Sequence, residues 1–270
     1  MKNPEILPKE FEAAKAELIE NRENRNYYDE QADTEIKNTY YQSISFTDSN
    51  LKDSIHNLLE ETHTNELNYT PHRYLYPWVD LQENGELKSL YSGKGMEPLA
   101  AIEHDIRLHE FQAKGLVNAF SGDNLLNCEH VVPQSWFDKK EPMRGDLHHL
   151  FACEPECNSS RSNYPYTDFS DYAPEARASV IKDGCGKADG GKFEPEYGKG
   201  IVARATLYFL IRYKEIINKD SVDVPLLLEW HRSFPISTYE KHRNLAIYEM
   251  QGNRNPFIDV PDKAEEIMGL

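Results

Sequence analysis

Residues 127–166, NCEHVVPQSWFDKKEPMRGDLHHLFACEPECNSSRSNYPY, decide how this chain is read. A short β-prone run, 128–132, carries Glu129 and His130 and stops at Pro133, which has no ladder donor. A polar loop follows, and DLHHLF at 146–151 reads as a second short strand. Residues 154–163 then read as a helix carrying Asn158, Arg161 and Asn163. Strand, loop, strand and helix in so short a stretch make a hairpin backed by a helix. That unit brings a carboxylate, an imidazole and a side-chain amide together.

These residue types suit hydrolysis of a phosphodiester. The reaction needs a base to deprotonate an attacking water and positive charge on the phosphorane and leaving oxygen. An imidazole titrates near neutrality, so His130 is the candidate base. A hard divalent ion takes oxygen ligands, and Glu129 with the amide oxygen of Asn158 supplies two; Mg²⁺ keeps several waters, so two suffice.

Three blocks carry a family likeness. They are CEHVVPQSWF with DLHHLF and CNSSRSNYPY; KFEPEYGKGIVARATLYFLIRY at 192–213; and STYEKHRNLAIYEMQGNRNPFID at 237–259. With VDLQENGELKSLYSGK at 79–94 they span roughly two thirds of the chain. In these blocks and their order the chain resembles the endonuclease I group of His-Me finger (ββα-metal, HNH-like) nucleases. The resemblance implies His130 as general base and Glu129 and Asn158 as ligands of Mg²⁺, with Mn²⁺ or Ca²⁺ in its place. It implies His149 as the residue that fixes the finger, and Arg144 or Arg161 as the arginine on the scissile phosphate. It also implies 5′-phosphate ends, a DNA or RNA substrate and little sequence preference. Asn163, Arg254 and Asn255 are further candidates for substrate contact, with a closing structural turn as the other reading of 253–256.

The expected fold class is α+β: the finger, 127–166, embedded in a mainly helical domain with a small β-hairpin. Residues 1–70 read as a helical extension packed on the core, and 71–270 as the catalytic domain. No apolar run approaches the eighteen or so residues of a membrane span. The N-terminus lacks a charged-then-apolar leader, which places the chain in the cytosol unless a leader precedes it or another route exports it. Inside a cell such an enzyme would need restraint, so an inhibitor protein is a candidate partner.

The net charge of −16 runs against non-specific nucleic-acid binding, which depends on cations meeting phosphates. Half of it sits in residues 1–70, with 15 acidic against 7 basic side chains, a net of −8. Residues 121–214 hold 14 against 12, a net of −2. Lys139, Lys140, Arg144, Arg161, Lys182, Lys187, Lys192, Lys199 and Arg204 are therefore candidates for a cationic groove, though a mixed solvated surface accounts for most of the lysines.

Elsewhere, apolar periodicity predicts helices over 9–23, 50–61, 97–120, 201–217, 223–233 and 239–250. Ser237 and Glu240 form a capping box for the last, which Gly252 ends. Asn84-Gly85 predicts a hairpin turn between strands at 74–81 and 87–91. His104 and His109, five apart, miss the four-residue spacing of a helical zinc pair and read as surface histidines. Residues 165–200 read as a long polar loop. Within it, GKADGGKF at 186–193 misses a phosphate-binding loop because Phe193 replaces the metal-binding hydroxyl.

The four cysteines, Cys128, Cys153, Cys157 and Cys185, leave three readings open: a structural Zn²⁺ site, disulfides, or small buried side chains. The hairpin is expected to gather the first three thiols, with Cys185 folding back as a fourth. Two function classes follow: a metal-dependent endonuclease, or a zinc-stapled module that binds nucleic acid or protein without cutting.

Overall fold

A computed structural model describes residues 6–113, 127–172 and 184–270. Helices α1 (Ile6–Asn24), α2 (Glu30–Tyr40) and α3 (Leu51–Thr62) come first, followed by α4 (Pro71–Tyr74) and one π-helical turn, Leu75–Val79. The periodic reading found α1 and α3 and missed α2. That helix is held by distant partners: Asp33 pairs with Arg254 at 2.7 Å, and Tyr40 is buried.

The strand expected at 74–81 is instead α4 and the π turn. Every side chain from Leu75 to Val79 is buried, so the segment shows no polar face from which its period could be told. Asn84-Gly85 does turn the chain, with Gln82 N–H donating to Glu86 O at 2.7 Å and Gly85 at φ +77°. The hairpin forms further on, between β1 (Leu87–Lys88) and β2 (Gly95–Met96). Helix α5 (Pro98–Ala113) follows. The rest of the helix expected to 120, with Leu116, lies outside the described residues.

The finger is β3 (Asn127–His130) paired antiparallel with β4 (Leu150–Cys153), then α6 (Pro155–Arg161). The second strand starts later than expected. Asp146 caps a 3₁₀ turn, Leu147–His149, by accepting the His148 N–H at 3.0 Å. The long loop also needs correction. Its C-terminal half is a hairpin, β5 (Gly186–Asp189) with β6 (Lys192–Pro195), turning at Gly190 and Gly191, both at positive φ.

Helix α7 (Lys199–Arg212) is buried along almost its whole length and forms the floor behind the finger. Helices α8 (Val224–Ser233), α9 (Thr238–Gln251), α10 (Pro256–Asp259) and α11 (Ala264–Met268) complete the chain. The capping box at Ser237 and Glu240 and the left-handed Gly252, φ +92°, bound α9 as expected.

Strand alternation sends the finger's side chains into two cores. Phe151, Cys153 and Cys157 join an apolar cluster with α3, α7, α8 and α11. Cys128, Leu150 and Ala152 join another with α1, the π turn, α5 and α9. The finger is therefore clamped from both faces.

Candidate active site

Register places Glu129 opposite Phe151 and His130 opposite Leu150, so the two functional side chains leave opposite faces of the hairpin. His130 is only 5% exposed. Its Nε2 lies 3.0 Å from the carbonyl oxygen of Arg144. A carbonyl only accepts, so Nε2 carries the proton and Nδ1 holds the lone pair. Burial, with help from His149, Arg144 and Arg161, lowers the His130 pKa well below its ordinary value. The ring is therefore neutral at pH 7 and free to accept a proton.

Three rings frame that imidazole: Tyr69 at 5.1 Å, His149 at 5.5 Å and Phe137 at 6.5 Å. His149 is buried and its Nε2 is 2.5 Å from Met143 O. It holds an orientation and is shut off from solvent, in keeping with a positioning role. Tyr69 reaches His130 because the chain at Gly145 touches the 67–68 backbone; a Cβ at Gly145 would collide with the Leu67 carbonyl.

On the other face, Glu129 Oε1 accepts the Tyr91 hydroxyl at 2.6 Å and lies 3.4 Å from Arg161 Nη1. Burial pushes its carboxyl up to about 7, against the pull of Arg161 and the Tyr91 hydrogen bond. Burial thus outweighs the compensation that Arg161 and Tyr91 give its negative charge. Asn158, half-buried on α6, donates through Nδ2 to Cys128 O at 3.5 Å. That bond holds the amide beside β3, one residue before Glu129, and leaves Oδ1 for a ligand. Glu129 and Asn158 each offer an oxygen of the hard kind that Mg²⁺ takes, and both are carried by the hairpin and its helix.

The two arginines divide cleanly. Arg161 is 1% exposed; its guanidinium donates to Val131 O at 2.6 Å and to His130 O at 3.4 Å, and stacks over Tyr166 at 4.9 Å. It braces the strand that carries both functional residues. Arg144 is half-buried, with Nε donating to Gln134 Oε1 at 3.1 Å and its guanidinium 4.9 Å over Tyr69. It lies on the same ring that backs His130 and retains donors for a phosphate. Asn163 is exposed just past α6, after Ser162 at φ +54°.

Arg254 and Asn255 require correction as substrate contacts. Arg254 is wholly buried, bound to Asp33 and Asp259 at 2.7 Å each. Asn255 is buried as the cap of α10, accepting from Phe257 N–H and donating to Arg204 O. Both hold the C-terminal turn together. The cationic groove also shrinks. Lys199 is buried against Glu194 and Asp168, Arg204 against Glu240, and Lys187 pairs with Asp171. Lys139, Lys140 and Lys192 are exposed, while Lys182 lies outside the described residues.

The four-cysteine zinc site is likewise corrected. Cys157 and Cys185 form a disulfide with Cα atoms 4.9 Å apart, which ties the β5–β6 hairpin to α6. Cys128 and Cys153 are free and buried in different cores, because strand alternation turns their thiols to opposite faces of the hairpin.

No sequence signal pointed to Tyr69, Tyr91 or Tyr166, whose own hydroxyl meets that of Tyr91 at 2.7 Å. Tyr69 and Tyr91 come from segments distant in sequence, Tyr166 closes the finger stretch itself, and single tyrosines carry no motif.

Residues 47–262 match the family model described as Endonuclease I. An extracellular ribonuclease of Bacillus amyloliquefaciens is 31% identical over 258 residues, covering 87% of this chain and 79% of that protein. An extracellular deoxyribonuclease of Aeromonas hydrophila is 29% identical over 191 residues, covering 63% and 77%. A periplasmic deoxyribonuclease of the same organism is 31% identical over 155 residues, covering 50% and 63%. A finger of this make, matched across most of the chain, means that the protein belongs to the Endonuclease I family.

Proposed function

We propose that this protein is a metal-dependent endonuclease of low sequence preference that hydrolyses DNA and RNA outside the reducing cytosol. The observation that carries the reading is the geometry at His130: a buried imidazole whose Nε2 lies 3.0 Å from Arg144 O, which leaves Nδ1 as the base. In this reading Nδ1 takes a proton from the attacking water. Tyr69, His149 and Phe137 hold the imidazole in plane, and Arg144 meets the scissile phosphate from the same side. Glu129 and Asn158 would hold Mg²⁺, with Arg161 and Tyr91 fixing the Glu129 carboxylate. The ion, when bound, supplies positive charge to the phosphorane and the leaving 3′ oxygen, so products carry 5′-phosphates.

Relatives named as ribonuclease and as deoxyribonuclease support a substrate defined by its phosphates. Contact with phosphates alone gives weak sequence preference and a steep loss of binding with salt. A location outside the cytosol is supported by the Cys157–Cys185 disulfide and by relatives named extracellular or periplasmic. The test is nicking of supercoiled plasmid, and cleavage of an unstructured RNA, with and without Mg²⁺. Cleavage of neither with the ion present would refute the proposal. So would cutting at a single sequence, or a rate that survives full chelation.

A further inference from the structure

Apart from the finger, three side chains from two helices converge: His72 of α4, and Asp105 and His109 of α5. One ligand atom from each lies within 4.8 Å of the others. His72 and Asp105 are buried, and the His109 side chain is 29% exposed with its Nε2 turned inward. His109 is therefore no plain surface histidine. Its partner in the helical pattern is Asp105, four residues earlier on the same face, rather than His104.

His72 Nδ1 lies 2.6 Å from Asp105 Oδ2, which also accepts the His72 backbone N–H at 3.0 Å. His109 Nε2 is 3.8 Å from the same oxygen. The far nitrogen, His72 Nε2, is buried and has no hydrogen-bond partner among the described residues. Its neighbour is the Glu10 carboxylate of α1 at 3.8 Å, held in turn by Arg73 at 2.7 Å.

With neutral His72 these contacts conflict. The proton must sit on Nδ1, facing the Asp105 carboxylate, so Nε2 meets the Glu10 carboxylate lone pair to lone pair in a buried place. A cation on Nδ1 removes the conflict. It takes the place of the proton between Nδ1 and Asp105, and the proton then resides on Nε2, pointed at Glu10. A carboxylate behind the second nitrogen of a metal-bound histidine is the usual outer support of such a site.

We infer that His72, Asp105 and His109 form a second metal site, for a first-row divalent ion of the zinc type, with Glu10 as the outer carboxylate. Two imidazoles and one carboxylate suit Zn²⁺, whereas Mg²⁺ and Ca²⁺ favour all-oxygen sets. Zn–N and Zn–O bonds of about 2.0–2.2 Å hold ligands of one ion no more than roughly 4.2 Å apart, so the triad closes with small side-chain shifts. The bound ion joins α4 to α5, with α1 reached through Glu10. Tyr69 lies between His109, at 5.8 Å, and His130, at 5.1 Å, so the site is one ring away from the candidate base. None of this depends on the endonuclease reading.

The test is zinc binding by the full chain, freed of metal and then titrated with ZnCl₂ against a chromophoric chelator. Melting temperature and the visible spectrum of the Co²⁺-substituted protein are read alongside. Wild type is expected to hold one tight equivalent beyond any bound by His130→Ala-sensitive sites. Its melting temperature should rise by roughly 5 °C at a hundredfold excess over Kd. His109→Ala and His109→Gln, at a partly exposed position, should fold and lose both effects; His130→Ala should keep both. The inference is overturned if His109→Ala binds zinc as wild type does. It is overturned equally if wild type binds none, the result expected if His72 is doubly protonated as a tie between Asp105 and Glu10. Loss of the sole zinc in His130→Ala would move the metal to the finger and also overturn it.

Discussion

Replacing Arg161 and Arg144 separately tests the division of labour between them. In Arg161→Ala the buried Glu129 loses its partner at 3.4 Å, and Val131 O loses a donor at 2.6 Å. Removing one member of a buried ion pair costs about 3–5 kcal/mol. Glu129, already pushed up to about 7, can answer by taking a proton, so the lower end applies, about 3 kcal/mol. A chain of 270 residues unfolds with roughly 0.57 kcal/mol per degree of entropy, so the melting temperature should fall by about 5 °C. Arg161→Lys should fall part of the way, since one ammonium replaces a two-pronged donor. Arg144→Ala loses one hydrogen bond and a half-exposed cation–π contact, about 1 kcal/mol, or under about 2 °C. Its kcat on plasmid should drop about 10²–10³-fold, the scale of a lost donor to a developing anion. The assay is thermal unfolding of each variant beside initial nicking rates in Mg²⁺. If Arg161→Ala melts within about 2 °C of wild type yet loses activity, while Arg144→Ala cuts normally, the assignment is wrong and Arg161 contacts the phosphate.

His130→Ala should lower turnover by at least about a hundredfold, with substrate binding and melting temperature nearly unchanged; near-normal cleavage would remove His130 as the base. Thiol titration of the unfolded, unreduced protein should find two thiols, Cys128 and Cys153, and Cys185→Ser should cost about 3.5 kcal/mol for a loop closed across 28 residues; four thiols would contradict the disulfide. Asp146→Asn should cost about 2–3 kcal/mol at pH 7, because the carboxylate accepts from Tyr208, Tyr213, Gln251 and the His148 N–H. Burial alone would raise the Asp146 pKa, yet His63, His148, His149 and the Gln251 hydrogen bond together hold it below the carboxylate range. Its contribution is therefore full above the unfolded value of about 3.9 and lost as pH falls through the lower folded value. The melting gap between wild type and Asp146→Asn should begin to narrow below about pH 4 and go on narrowing as pH falls further; a gap constant from pH 7 to pH 3 would refute this.

What sequence alone determined here rests on local physics. The β-prone run before Pro133, the capping box at Ser237 and the apolar residues of α3 and α7 are set by neighbours a few residues away; each element forms, though β3 stops at His130, short of Pro133, and α7 stops at Arg212. Glu129, His130 and Asn158 could be proposed as a site because a carboxylate, an imidazole and an amide fall together in so short a stretch. Tertiary structure decided what depends on direction and burial. Period-two alternation parted Cys128 from Cys153, and tertiary packing brought Cys185 to Cys157, so the four cysteines became one disulfide and two core side chains. Burial separated Arg161 from Arg144, and closed Arg254 and Lys199 off from any substrate. The fully buried turn at Leu75–Val79 had no polar face to betray its period. The pairing of His72 with Asp105 joins residues 33 apart on separate helices. Contacts of that reach form only when the cores draw α4 and α5 together, and no local pattern encodes them.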